Sequence, residues 1–468
     1  MKKLLLPALF IAISTLAAKA QYTDIFDFSG KDGITPQGSL ISDGNYLYGI
    51  TYGGANNDGV IFRIKPDGTG DTNLHNFDSL DGKVPLGTLF SDGTYLYGVT
   101  REGGVKNNGV ICRIKLDGTG DTVLHYFDSL HGRWPYTEAL ISDGTYLYGT
   151  TEFGGANGDG TIFKIKPDGT NFTDLLDFDS LNGYWPESSL LYDGTFLYGV
   201  AAGGTKNYGI IYRIKPDGTG DTILLNFYSI NGHGAVASLV SDGTYLYGST
   251  VHGGTYGDGI IYRVKPNGTG DTILLTFNGT DGGNIYSPLL FVNKYLYGLS
   301  DGVSSNSGVL FRIKPDGTGD TILHYFVSAS GDIPSNNSLI SVGAYLYGMT
   351  PSGGAYNDGV VFRYLDSALL TDINEPPVMA NEVKVYPNPS DGKFTIESSV
   401  ISRQSLEIYN MLGEKIYTET LRPVTQGQGG QVQGDNTINL SNEAKGLYLY
   451  RLLTPEGKFI SQGKFIIQ

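Results

Sequence analysis

One cysteine, two tryptophans, four methionines and six histidines are all that this chain of 468 residues holds of those types. A lone thiol, Cys112, cannot close an internal disulfide, so no disulfide framework holds the fold. Cations are scarce as well: 32 Lys and Arg stand against 47 Asp and Glu, for a formal charge of −15. That sign excludes a nucleic-acid binder, which needs a basic footprint, and an anionic membrane surface as partner. No run of 18 apolar residues occurs, so no transmembrane segment is expected. Nor does the sequence contain His-x-x-x-His, a cysteine pair, Gly-x-Ser-x-Gly or a phosphate-cradling glycine loop leading into a helix. Neither cofactor nor metal is therefore expected, and no catalytic residue is assigned. Carboxylates such as Glu102 and Glu152, or the recurring Asp43-type residues, can act as acid and base only if the fold brings them together.

What is abundant is glycine, 68 residues, about twice the ordinary share of roughly 7%. Glycine costs a helix about 1 kcal/mol relative to alanine, so a Gly- and Tyr-rich chain favours short strands joined by tight turns. With 40% hydrophobic residues disorder is excluded, and the length implies two or three domains. Residues 1–20 have a basic start (Lys2, Lys3), an apolar run from Leu4 to Ala17 and the small-x-small ending Ala18-Lys19-Ala20. They read as a secretory signal peptide cleaved before Gln21, and override the cytoplasmic hint of scarce cysteine.

A unit of about 50 residues then recurs. Its marker Tyr46-Leu47-Tyr48-Gly49 returns at Tyr95, Tyr146, Phe196, Tyr245, Tyr295 and Tyr345. Each unit carries four short strand-like runs, in the first copy 39–42, 45–51, 59–65 and 71–77, parted by Asp-Gly, Gly-Gly and Pro-Asp-Gly-Thr-Gly turns. Four strands and about 50 residues match a propeller blade. The seventh unit ends after its third strand, while the mature N-terminus opens with 23–28, a run that resembles fourth strands such as 72–77. A ring closed by the N-terminal strand explains this split; an open solenoid does not. The fold class is all-β: a seven-bladed β-propeller over 21–365 closed by an N-terminal strand, a linker over 366–382 stiffened by Pro376-Pro377, and a small β-sandwich over 383–468.

The repeated Asp-Gly-x-Tyr-Leu-Tyr-Gly, Gly-Gly and Arg-Ile-Lys-Pro-Asp-Gly segments resemble the Gloeo/Verruco-type tandem repeat, found in secreted proteins and tied to no general biochemical activity. Unit six departs from it at Asp301-Gly302-Val303 and Val292-Asn293-Lys294. Val385-Tyr386-Pro387-Asn388-Pro389, Ile408-Tyr409-Asn410-Met411-Leu412-Gly413 and Gly446-Leu447-Tyr448 resemble the type A sorting domain of the type IX secretion system. That resemblance implies a Bacteroidetes-type cell, recognition by type IX machinery, and release or attachment at the outer surface. The Gln/Gly-rich stretch from Gln426 to Gly434 reads as an exposed loop.

Divergence among equivalent loops marks function better than a shared turn does. One loop face is nearly identical between units. The other varies, carrying Arg101-Glu102, Glu152-Phe153 and His252 after second strands, and Arg133-Trp134, Tyr184-Trp185 and His233 before first strands. Both tryptophans hold one equivalent position, with Arg133 and Tyr184 beside them. Two readings fit: an aromatic platform for a sugar ring or peptide, or indoles plugging the gaps between blades as Val84 and Ile333 do. The ligand-binding candidates are Arg101, Arg133, Trp134, Tyr184, Trp185 and His252. Cys112 reads as a small buried hydrophobe in the place of Phe62 or Tyr212, and His75, His125 and His324 as solvated residues of outer strands. The recurring Asp-Gly-Thr-Gly-Asp segment offers paired carboxylates to Ca²⁺, but a hairpin turn explains it without metal. The expectation is a monomeric, secreted or surface-attached binding or scaffold module for glycan or protein. A polysaccharide hydrolase or lyase, and a purely structural adhesin, stand as alternatives.

Overall fold

The computed structural model describes residues 21–371 and 383–467, apart from Ala55, 136–138, 303–307, Ile333, 335–336, 399–403, 411–414, 422–424, 427–431, 434–435 and 454–458. The expected signal segment and most of the expected linker lie outside the described residues. The chain divides into two compact units. One holds the residues before Asp366 except Phe291–Tyr295 and Ser341–Leu346, which group with the remainder.

Among the described residues between Tyr22 and Leu365, seven antiparallel sheets are formed, six of four strands and one of five. We number them by the order of their Tyr-Leu-Tyr strands. In the first, Ile34–Ser42, Leu47–Gly53, Val60–Ile64 and Thr72–Asn76 lie side by side in chain order. The seventh is completed by Tyr22–Asp27, which pairs with Val360–Leu365 so that Tyr22 faces Tyr364 and Asp27 faces Val360. Its bulge between Asp24 and Phe26 matches the one between Val123 and His125 in the second sheet, so the N-terminal strand takes a fourth-strand place in detail.

The repeated motif is explained by packing. Second strands such as Leu147–Thr151 are buried throughout, as a strand covered on both faces must be. A Cβ on Gly149 would lie 2.5 Å from the Phe163 ring, so the marker glycine makes room for an aromatic side chain of the third strand. In the first five sheets the second tyrosine of the marker is buried but donates its hydroxyl to the turn aspartate, as Tyr148 does to Asp143 and Tyr247 to Asp242, both at 2.7 Å, whereas Tyr347 of the seventh, with Val342 in place of the aspartate, donates to the Pro66 carbonyl at 3.3 Å. The first lies under a third-strand cation, Arg113 over Tyr95 at 4.6 Å and Arg263 over Tyr245 at 4.5 Å. The Asp43-type residues are thereby committed to their own turns and tyrosines, as Asp43 is to Tyr48 at 2.9 Å.

Three contacts recur between neighbouring sheets. A third-strand cation reaches the next sheet's turn, as Arg113 does to the Pro167 carbonyl at 2.7 Å and Arg213 to that of Pro266 at 3.0 Å. A buried phenylalanine after the fourth strand meets the next sheet's aromatic edge-on, as in Phe127 with Phe163 at 5.3 Å and Phe178 with Tyr212 at 5.2 Å; such pairs add about 0.5–1.5 kcal/mol beyond burial. A residue ahead of the first strand donates its amide to the preceding sheet's loop, as in Val84 to Asp58 at 3.0 Å. All three also join the seventh sheet to the first: Arg363 to Pro66 at 3.3 Å, Phe28 with Phe62 at 5.1 Å, and the Thr35 amide to Asp358 at 2.9 Å.

The unit from Asp366 opens with a short helix, Ser367–Thr371, at the start of the expected linker. A three-stranded sheet holds Val383–Tyr386, Lys393–Ser398 and Asn436–Asn439. A four-stranded sheet holds Lys415–Leu421, Gln404–Tyr409, Gly446–Leu453 and Phe459–Ile467. Phe394 and Ile396 of the first share one core with Leu406, Ile408, Leu452 and Phe465 of the second. Asn388 of the Tyr-Pro-Asn-Pro motif accepts the Ile466 amide at 2.9 Å, so the motif ties to the last strand. The stretch expected as a plain loop carries a two-residue ladder, Thr425–Gln426 with Val432–Gln433.

Candidate functional site

On the variable face, the residue before each first strand pairs with one after the second strand of the same sheet. These couples are Ile34 with Gly53, Lys83 with Glu102, Arg133 with Phe153, Tyr184 with Ala202, His233 with His252, Gly283 with Asp301 and Asp332 with Ser352. Two sets of variable loop residues thus belong to one short ladder, where a shared backbone presents a different pair in each sheet.

The next residue is left-handed in every sheet where it is described: φ is 53° at Thr35, 56° at Val84, 54° at Trp134, 51° at Trp185, 68° at Gly234 and 49° at Asn284. This conformation aims the amide at the preceding sheet, with Trp134 donating to Asn108 and Trp185 to Asp159, both at 2.9 Å. Gly234 and Asn284 make the same bond at 3.1 and 2.9 Å without a large side chain. The seam therefore requires the backbone shape and not the indole, and a bulky residue there costs about 1–2 kcal/mol. Val84 is 4% exposed and fills its gap, whereas Trp185 is 42% exposed and projects.

Four rings run in contact across the third and fourth sheets: Tyr184 edge-on to Trp185 at 4.9 Å, Trp185 tilted against Phe153 at 5.6 Å, and Phe153 edge-on to Trp134 at 5.5 Å. Arg101 lies 5.0 Å and Arg133 5.2 Å from the Trp134 centroid, and Arg133 also 5.4 Å from that of Phe153. The Tyr184 hydroxyl is held by Asn207 at 2.6 Å. Five of the six residues predicted from sequence, Arg101, Arg133, Trp134, Tyr184 and Trp185, thus meet in one array. The sixth, His252, belongs to another cluster, 5.7 Å from His233, whose ring meets Tyr208 edge-on at 4.9 Å.

Two carboxylates join this array. Arg101 contacts Glu152 at 3.4 Å. Burial raises the Glu152 carboxyl above its ordinary range despite the attraction of Arg101 and Arg133. Glu187, two residues past Trp185, is pushed up to about 7, first by burial and then by the Glu152 charge, against the pull of Arg101. Sequence reasoning missed Glu187; its signal was a carboxylate where other units carry Gln37, Leu86, Val236 and Tyr286. An acid poised near neutrality beside arginine and aromatic surface can bind polar rings and can donate a proton.

The opposite face is built of turns. Asp67 accepts from the amide and hydroxyl of Thr69 at 2.9 and 2.7 Å, and Asn267 does the same for Thr269 at 3.1 and 2.8 Å. The turn works with an uncharged amide, so its carboxylate is explained by hydrogen bonding. The outer-strand histidines correct another expectation. His125 stacks on Phe172 and His324 on Tyr22, each at 3.8 Å, and burial lowers both to about 4.

These features define an all-β, propeller-like repeat protein with a variable loop face. The Gloeobacter/Verrucomicrobia repeat matches residues 12–146, 91–300 and 237–375, so the chain belongs to that family. Residues 384–468 match the secretion system C-terminal sorting domain. This type IX sorting domain implies export to the cell surface or the extracellular space, and among the described residues no helix is long and apolar enough to cross a membrane. No curated protein matches the chain. Among solved structures it is similar to PorZ, a surface component of the type-IX secretion system of Porphyromonas gingivalis (15% identity, 94% of this chain, 60% of that one, TM-score 0.46). It is also similar to an oligogalacturonate lyase in complex with manganese (12%, 75% and 94%, 0.50) and to a puromycin-hydrolyzing peptidase of Mycobacterium tuberculosis (13%, 78% and 59%, 0.51). The chain spans 60% of the length of the first and 59% of the third.

Proposed function

We propose that the protein is a secreted or surface-attached, monomeric binding module whose ligand is a glycan or protein segment laid across Trp134, Phe153, Trp185 and Tyr184. On this reading residues 1–20 are removed as a signal peptide, 21–365 form a closed seven-bladed propeller, 366–382 link it onward, and 383–468 form a sandwich read by type IX machinery. Closure is supported by the three contacts joining the seventh sheet to the first, and the sandwich by the core its two sheets share.

The observation that carries the binding reading is the placement of indoles at left-handed positions that Gly234 and Asn284 fill without strain. Binding accounts for an exposed Trp185 where stability does not. The test is retardation in gels embedding polysaccharides, backed by a glycan and protein array. The wild-type chain should be retarded by at least one polymer or bind an array spot, and Trp134→Ala with Trp185→Ala should abolish that signal while melting stays cooperative. An undiminished signal in the double variant rejects the platform.

The raised carboxyl of Glu187 favours a second reading, a polysaccharide hydrolase or lyase with Glu187 as proton donor. It requires release of reducing or unsaturated ends, lost in Glu187→Gln. Retardation without cleavage leaves the binding module, and neither signal leaves a structural adhesin.

A further inference from the structure

Three fourth strands carry a histidine at one equivalent position: His75, His125 and His324. In two cases the next sheet supplies an aromatic partner from the start of its own fourth strand, Phe172 just before it for His125 and Tyr22 as its first residue for His324, stacked at 3.8 Å. A second aromatic of that sheet backs the stack, Phe163 at 5.5 Å from Phe172 and Phe362 at 5.4 Å from Tyr22.

The seam between the first and second sheets has lost both aromatics. Asp121 stands where Phe172 and Tyr22 stand, and Cys112 where Phe163 and Phe362 stand. The smaller side chains leave a small open cleft lined by His75, Asp81, Cys112 and Asp121 among others. His75 Nε2 lies 3.1 Å from Asp81 Oδ2, and one ligand atom each of His75, Asp81 and Asp121 falls within 4.8 Å of the other two. Asp81 spends its other oxygen on the Asp78 amide at 2.8 Å, which orients the carboxylate.

We infer that this seam binds one divalent transition-metal ion of the zinc type through His75, Asp81 and Asp121, cross-linking the first two sheets where the other histidine seams use aromatic stacking. One imidazole and two carboxylates suit zinc or cobalt. Bonds of about 2.0–2.1 Å separate ligands of a tetrahedral ion by on the order of 3.3 Å, close to the His75 to Asp81 spacing. The exposed Asp121 closes the remaining distance by a side-chain shift. The buried Cys112 thiol donates to the Gly98 carbonyl at 3.6 Å and forms the cleft wall, and water completes the coordination. The ion would be structural, since it lies in the fourth-strand seam and not on the variable loop face.

The test is titration of chelator-stripped full chain with Zn²⁺ by calorimetry, and with Co²⁺ by visible absorption, alongside thermal melts. The expected result is one site per chain, a tetrahedral Co²⁺ spectrum and a higher melting temperature with Zn²⁺. Affinity should fall at least tenfold in His75→Ala and Asp121→Asn, and be unchanged in His125→Ala. Because His75→Ala can disturb the seam, Asp121→Phe combined with Cys112→Phe serves as the second variant. It recreates the aromatic seam of His125, so it should fold, melt independently of Zn²⁺ and bind no ion. Absence of one-to-one binding in the wild type, or equal affinity in the Asp121→Phe, Cys112→Phe variant, overturns the inference.

Discussion

Arg363 donates to the carbonyl of Pro66 at 3.3 Å across 297 positions of sequence, making the bond that Arg263 makes to Pro315 at 2.9 Å across 52. A contact that is local in sequence between most neighbouring sheets is long-range at one place, where the last sheet meets the first. The long-range copy brings loop-closure entropy with it, so the N-terminal strand should act as a clasp whose loss is felt by every sheet.

Deleting 22–30 removes five paired positions from Val360–Leu365, each ladder bond contributing about 0.5–1.5 kcal/mol. The expected outcome is a lower melting temperature and a larger hydrodynamic radius by size-exclusion chromatography. An unchanged melt and radius would show that the clasp is dispensable.

Replacing the marker glycine should discriminate between sheets. In Gly149→Ala the new methyl meets Phe163 at 2.5 Å and Leu140 at 2.9 Å; in Gly98→Ala it meets Leu89 at 3.2 Å and Cys112 Sγ at 3.8 Å. Overpacking typically costs about 1–3 kcal/mol, so urea denaturation should show Gly149→Ala within that range and Gly98→Ala below about 1 kcal/mol. Equal losses would mean that Cys112 does not relieve the marker position.

Trp185→Asn copies the residue that the sixth sheet uses at the same left-handed position. Relief of about 1–2 kcal/mol of backbone strain offsets lost ring contacts, so stability should stay within about 1 kcal/mol of wild type. Binding in the gel or array assay should fall at least tenfold. A collapse in stability with binding intact would assign the indole to the seam.

Glu187 links stability to pH with a definite sign. Its folded pKa of about 7 lies above the 4.5 of an ordinary glutamate, so the folded state holds the proton more tightly. The contribution is fully present below about pH 4.5 and is lost as pH rises to about 7. Relative to Glu187→Gln, the wild type should lose on the order of 1–3 kcal/mol over that window. Parallel stability curves for the two proteins would place the ordinary carboxyl pKa at Glu187.

Much of the architecture was legible because it is local. The tyrosine marker, the aspartate turns and the paired glycines each answer to a contact within one sheet or with its neighbour, so they recur with the period and can be counted. Even the clasp could be read, since the orphan run 23–28 repeats the alternation of other fourth strands. The binding array was only half legible. Trp134, Trp185, Tyr184 and the arginines stood out as departures from the repeat, but Glu187 looked like an ordinary polar residue near a strand. Its raised carboxyl arises from burial beside Glu152, which another unit contributes.

What the residues alone settled, then, is the repeat, its strand order and the export signal at the C-terminus, because backbone hydrogen bonding and turn chemistry act over a few positions. Which departures from the repeat meet is a matter of tertiary structure. The couple of Arg133 with Phe153 is a backbone bridge within one sheet, whereas the meeting of Phe153 with Trp185 and the approach of Asp121 to His75 and Asp81 depend on side-by-side packing of sheets. That packing joins positions about 20 to 50 residues apart, a distance over which no local pattern specifies a neighbour.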